Sequence, residues 1–73
     1  MKQKEIVFKE VINALFKESG LTQQKTADKI GVELSQFQRW LYGQALPTTW
    51  SLIAISDFYE VTIDELLFGL IKK

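Results

Sequence analysis

From Phe8 onward the apolar residues of this chain recur with the period of a helix, and four breaks interrupt the rhythm. Phe8, Ile12, Leu15 and Phe16 stand at i, i+4, i+7 and i+8 and form one apolar stripe. Lys4, Lys9, Glu10, Asn13, Lys17 and Glu18 fall mostly on the other face. A first helix is therefore predicted over 2–19, closed by Ser19-Gly20. Ile6, Val7 and Val11 widen its apolar arc beyond what one core contact needs. The Phe8/Phe16 stripe is read as core, with a groove for a partner as the alternative. In the next run Ala27 and Ile30 share a face, which predicts a helix over 22–30 with the Thr22 hydroxyl capping its first turn. Gly31 breaks that helix, since glycine enters the left-handed region without a Cβ clash, and Val32 reads as buried in the turn. Phe37, Trp40 and Leu41 then repeat at i, i+3 and i+4, predicting a helix over 33–43 that ends at Gly43.

Pro47 holds Leu46 in an extended backbone and prevents a helix from running through the loop 44–47. Thr48 is the natural cap for a fourth helix over 49–59, with Leu52, Ile55 and Tyr59 inward and Ala54, Ser56 and Phe58 undecided. Trp50 falls on an outer face, either folded over the loop after Gly43, the favoured reading, or left for a partner. Thr62 and Glu65 have the spacing of a capping box, in which each side chain accepts from the other residue's backbone N–H. They open a fifth helix over 63–70 with Ile63, Leu66 and Leu67 turned to the core. Phe68, Leu70 and Ile71 follow, and Gly69 implies fraying there. There is no repeat, no low-complexity tract and no linker, so residues 1–73 are expected to form a single all-α domain of five helices.

The second and third helices, joined by a short turn containing glycine, make the helix-turn-helix pattern. Ala27 matters to it, because two helices that cross steeply approach closely only where a small side chain stands at the crossing.

Composition narrows the chemistry. The 73 residues contain no cysteine and no histidine, which excludes a disulfide framework, thiolate or imidazole metal sites, and histidine-activated nucleophiles. No metal, no cofactor, no small-molecule substrate and no enzymatic activity are expected. No apolar run approaches the ~18 residues of a membrane span, and the charged start MKQKE is unlike a secretory leader. The expected location is the cytoplasm. Nine basic side chains balance nine acidic ones, so affinity for a polyanion depends on whether the positive groups gather on one face.

The residues L-T-Q at 21–23, Ala27, I-G-V at 30–32, F-Q-R-W at 37–40, Gly43, Leu46-Pro47, Leu52, Ile55 and V-T-I-D-E-L-L at 61–67 carry a family resemblance. In this order and spacing the chain, over roughly residues 8–69, resembles the phage repressor and Cro-like helix-turn-helix family, also called the XRE family. The resemblance implies a five-helix, repressor-like DNA-binding domain and sequence-specific recognition of double-stranded DNA as a transcriptional regulator. It implies that the third helix enters the major groove while the second crosses the backbone. By position, Leu34, Ser35, Gln38 and Arg39 would read bases, with Arg39 suited to guanine, Gln38 to adenine and Leu34 to a thymine methyl. Gln23, Lys25, Gln44 and Ala45 would meet phosphate. Two departures stand out. Glu33 occupies the cap position usually held by Ser, Thr or Asp. Leu41 and Tyr42 replace residues that commonly carry charge, and would be half-exposed or form a contact surface.

Lys25, Lys29 and Arg39, with Lys17 as an optional fourth, are the cations counted towards phosphate neutralisation; three to four contacts give a salt slope of only about −3 per monomer. A two-fold dimer would double that number and set its reading helices roughly 34 Å apart, one turn of B-DNA. Trp50, Phe68, Leu70 and Ile71 are the candidate contacts of such a homodimer. The alternative for the tail residues is to cover Val7 and Val11 within one molecule. A protein-interaction module that keeps the fold without binding DNA is the competing function, motivated by the neutral charge and by Leu34, Leu41, Tyr42 and Trp50.

Overall fold

The computed structural model describes residues 6–69, which fold into five helices and no strand. They are α1 Phe8–Ser19, α2 Gln23–Ile30, α3 Leu34–Leu41, α4 Thr49–Tyr59 and α5 Ile63–Phe68. Helix α1 begins later than the 2–19 predicted. Ile6 and Val7 lie outside it, and residues 1–5 fall outside the described segment. Val7 instead spends its N–H on Leu67 O at 2.7 Å, which ties the start of α1 to α5. Helix α3 is shorter than the predicted 33–43 because Tyr42 and Gly43 turn into its C-terminal cap. Helix α5 stops at Phe68, and Gly69 caps it with a positive φ of 119°.

Three of the five N-termini carry the side-chain caps read from the sequence. Thr22 accepts from Lys25 N, Thr48 from Ser51 N, and Thr62 from Glu65 N. The capping box at Thr62 is complete, since a Glu65 carboxylate oxygen accepts from Thr62 N at 3.0 Å. Glu33 supplies no side-chain cap to α3.

The helices pack in a closed circuit: α1 on α3, α3 on α2, α2 on α4, α4 on α5 and α5 back on α1. At the centre lie Phe8, Ile12, Ala27, Phe37, Trp40, Ile55 and Leu66, all essentially excluded from water. A run of edge-on rings joins α1 to α3: Phe16 to Phe37 at 5.5 Å between centroids, Phe37 to Trp40 at 6.1 Å, and Trp40 to Phe8 at 6.4 Å. The Phe8/Phe16 stripe is therefore core. Val11 is buried as well, and Val7 packs against the core, so the wide arc of α1 is used inside the molecule by α3 and α5.

Three positions differ from expectation. Leu41 is buried at 4% exposure, because α1 lies across the C-terminal end of α3 and covers it. Trp50 is 81% exposed and does not fold over the loop after Gly43; it stands in the first turn of α4, away from the face that packs on α2 and α5. Ile63 is exposed at the first position of α5, where only Leu66 is fully buried. Val32 is half-buried.

Two features of α4 carry testable consequences. Its C-cap, Glu60, is the one described non-glycine residue with positive φ, at φ 57° and ψ 45°. The turn is closed by Val61 N donating to Ser56 O at 3.1 Å. A side chain in that region is strained by contact of its Cβ with the following carbonyl, and glycine is not. Glu60→Gly is expected to raise stability by about 0.5–1 kcal/mol after the extra entropy of the unfolded glycine is subtracted, seen as an upward shift of a few degrees in the melting midpoint. Tyr59 packs its ring against Phe58 at 4.7 Å, and its hydroxyl oxygen is buried without a hydrogen-bond partner among the described residues. Burial pushes the phenol up to about 12 from 10, since the phenolate loses water it cannot replace. The folded state thus resists ionisation that the unfolded state undergoes at pH 10. Stability is unaffected below pH 10 and falls as pH rises from 10 towards 12. Tyr59→Phe is expected to be neutral or slightly stabilising at pH 7 and to flatten the alkaline limb of a plot of melting midpoint against pH.

Candidate nucleic-acid interface

The surface that interests us is the outer side of α3 and the ends of α2 and of the 42–48 loop that flank it. Helix α3 buries Phe37, Trp40 and Leu41, and this orientation fixes which residues face out. Ser35 and Arg39 are exposed, one turn apart, and Tyr42 continues the row a further turn on at 57% exposure. Gln38 lies beside them, half-buried, and Leu34 and Gln36 are half-buried too. Arg39 makes no ion pair or hydrogen bond with another described side chain, so its guanidinium keeps all its donors for a ligand.

Helix α2 meets α3 through Ala27, which has no exposed surface, and through a polar bridge at the rim. Gln38 Nε2 donates to Gln23 Oε1 at 2.9 Å. The bridge joins a residue predicted to read a base to one predicted to meet phosphate. It leaves Gln23 both amide N–H donors and Gln38 its oxygen and one N–H. Gln23 also stands at the first position of α2, where backbone N–H groups are open. Lys25, in the same first turn, is exposed.

The turn between the two helices is built by Gly31 in the left-handed region at φ 95°, with the N–H groups of Gly31 and Val32 both donating to Ala27 O. The C-terminal end of α3 is closed by a Schellman motif: Gln44 N donates to Arg39 O at 2.9 Å and Gly43 N to Trp40 O at 3.3 Å. This alters what the loop can offer an anion. The backbone N–H of Gln44 is used within the protein; its side chain and the Ala45 backbone remain open. Asn13 of α1 adds a clamp, its Nδ2 donating to Lys9 O and to Leu41 O, both at 2.8 Å. The last carbonyls of α3 are thus satisfied partly by α1, which holds the helix at a set attitude.

Leu34, Ser35, Gln38 and Arg39 therefore lie along one outward side of α3, with Gln23 and Lys25 at one end and Gln44 and Ala45 at the other. Trp50 and Phe68 belong to α4 and α5 and not to this row; Leu70 and Ile71 fall outside the described residues. Two residues beside this row were not read from the sequence as part of the surface. Tyr42 is one, and its signal was its spacing of seven from Ser35. Lys9 is the other, and no local pattern connects it to α3. Among the described residues no group of three or more acidic, histidine or cysteine side chains gathers as a metal site, and no helix is long and apolar enough to cross a membrane.

A short helix buried on one side, a second helix crossing behind it and an outward row of amide, hydroxyl and guanidinium groups define a helix-turn-helix protein. The chain belongs to the helix-turn-helix family of XRE type: the family's model matches residues 12–66. It is 42% identical over 45 residues to the cryptic phage CTXphi transcriptional repressor RstR of Vibrio cholerae, covering 62% of this chain and 40% of that protein. It is 39% identical over 62 residues to the HTH-type transcriptional activator BcrR of Enterococcus faecalis, covering 85% of this chain and 30% of that one. The chain thus spans less than half the length of these two relatives. Among solved structures it is similar to the P22 c2 repressor in complex with a synthetic operator, at TM-score 0.81 and 25% identity over 93% of this chain and 98% of that one. It is also similar to the LexA SOS-response repressor of Eubacterium rectale, at TM-score 0.83 and 27% identity over 92% and 74%.

Proposed function

We propose that this chain binds double-stranded DNA sequence-specifically and regulates transcription, with α3 in the major groove. The observation that carries the reading is the exposure of Ser35 and Arg39 on the side of α3 opposite Phe37, Trp40 and Leu41. Had these two residues been turned inward, the helix would have had nothing to read with. Arg39 suits the two acceptors of guanine, and the bridged Gln23–Gln38 pair presents donors and an acceptor to an adenine edge and an adjoining phosphate. Leu34 offers its half-buried side chain to a thymine methyl. Gln23, Lys25, Gln44 and Ala45 supply the sequence-independent contacts to the backbone. The family membership, and a structural relative seen in complex with a synthetic operator, support the same reading.

Few cations serve one α3 surface, so the binding form is a two-fold dimer with two such helices on successive turns of the groove. Trp50, 81% exposed, and Ile53, 41% exposed and one turn further along α4, are apolar groups that such an assembly would cover. The test is selection of bound sequences from a random duplex pool, with sedimentation of the free and bound chain. Enrichment of a two-fold symmetric site is expected. If no sequence is enriched at low salt, the DNA reading fails, and the exposed apolar residues of α4 then favour a module that binds another protein.

A further inference from the structure

We propose that Lys9 is a phosphate-binding residue of the DNA interface, carried on α1 and aimed at the loop after α3 by the absence of a side chain at Gly43. This rests on the DNA-binding reading and adds a contact to it from a helix that reading leaves in the background.

Gly43 has positive φ, 76°, which already favours glycine. A second constraint acts there. A Cβ built on Gly43 would lie 2.8 Å from Lys9 Cδ and 3.6 Å from its Cγ and Cε. The aliphatic stem of Lys9 therefore passes directly over the glycine, in space any other residue would fill. Asn13, one turn along α1, clamps the same stretch of helix to the end of α3 through Leu41 O. The stem thus lies against the glycine of the α3 cap, beside the start of the loop that carries Gln44 and Ala45. Lys9, Gln44, Ala45 and Leu46 border one recess.

The loop needs such a donor. Gly43 and Gln44 both direct their N–H groups back into the α3 cap, so an anionic oxygen arriving there finds fewer backbone donors than the chain pattern promises. Lys9 is exposed, and no described carboxylate forms an ion pair with it, although Glu10 borders the same recess. Its charge is therefore not spent within the protein. A competing role is to neutralise the negative end of the α3 dipole. That role would show in thermal stability and would leave the response of DNA binding to salt unchanged.

The experiment compares the full chain with Lys9→Met, which keeps an apolar stem without the charge, and with Lys9→Arg, which keeps the charge. Affinity is measured for the selected site and for an unrelated duplex over a fourfold range of salt. Lys9→Met is expected to weaken binding to both duplexes alike, to leave sequence preference and melting midpoint as they were, and to reduce the slope of log K against log salt by about 0.9 per subunit. The gap from wild type then closes by roughly threefold per subunit, about twelvefold for the dimer, across the fourfold range, as that slope requires. Lys9→Arg is expected to restore the slope. An unchanged slope in Lys9→Met, with wild-type binding intact, overturns the role of Lys9 alone. A wild-type chain that retains neither duplex at low salt overturns the DNA reading, and the Lys9 contact with it. Lys9→Gln reads the same slope should the methionine variant fold poorly.

Discussion

Trp40→Ala is expected to leave little folded protein at 37 °C, whereas Trp50→Ala leaves the melting midpoint almost where it was. The two substitutions delete the same atoms from the same residue type, ten positions apart. Trp40 is 1% exposed and meets the rings of Phe8 and Phe37 edge-on from one position. Removing so large a side chain from a packed interior destabilises by about 3–5 kcal/mol, since the neighbouring elements cannot close the cavity. A domain of 73 residues is stable by about 4–11 kcal/mol at the usual energy per residue, so most of that margin goes. Trp50 is 81% exposed, and truncation there should change stability by no more than about 0.5 kcal/mol. Urea unfolding at a protein concentration low enough to avoid association checks both. Similar effects from the two variants would mean that the core is not where the α1–α3 ring run places it.

Arg39→Ala is expected to do the reverse: to leave folding untouched and relax discrimination at one base pair. Its side chain is exposed and makes no contact that stabilises the domain. If it reads guanine with two hydrogen bonds, its loss costs about 1–3 kcal/mol at that base pair, roughly fivefold to 150-fold in affinity for the selected site. Binding to an unrelated duplex should fall much less. The base pair opposite Arg39 should become degenerate when selection is repeated with the variant. Lys25→Gln provides the contrast, with equal weakening on all sequences and a shallower salt slope. Equal losses on specific and unrelated DNA for Arg39→Ala would demote it to a phosphate contact and shift the reading function to Ser35 and Gln38.

These contrasts depend on how different parts of the chain encode structure. The caps at Thr22, Thr48 and Thr62 were legible because a cap involves residues three apart, and the sequence displays both partners side by side. The apolar stripe of α1 was legible for the same reason. Leu41 and Tyr42 were read together as half-exposed from their departure from the family pattern, although the spacing of Leu41 from Phe37 already put it on the buried face. The clamp of Asn13 on Leu41 O, between residues 28 positions apart, shows that α1 does the covering. Trp50 was misplaced by the assumption that a large aromatic finds packing near at hand. The 42–48 loop instead runs beside Lys9 and Glu10 of α1 and leaves Trp50 in water. Ser35, Gln38 and Arg39 were placed on the reading helix by the family resemblance, whereas the bridge from Gln38 to Gln23 was not visible in the sequence.

The sequence by itself determined the number and order of the helices, where three of them are capped, and the glycine turn between α2 and α3. These features come from contacts within one or two helical turns, where the backbone geometry is known in advance. Tertiary structure alone decided that Trp50 and Ile63 stay out, that Gln23 and Gln38 share a hydrogen bond, and that Lys9 lies over Gly43. Each of these depends on which helix face meets which, a choice made by the whole core at once through packing and the exclusion of water.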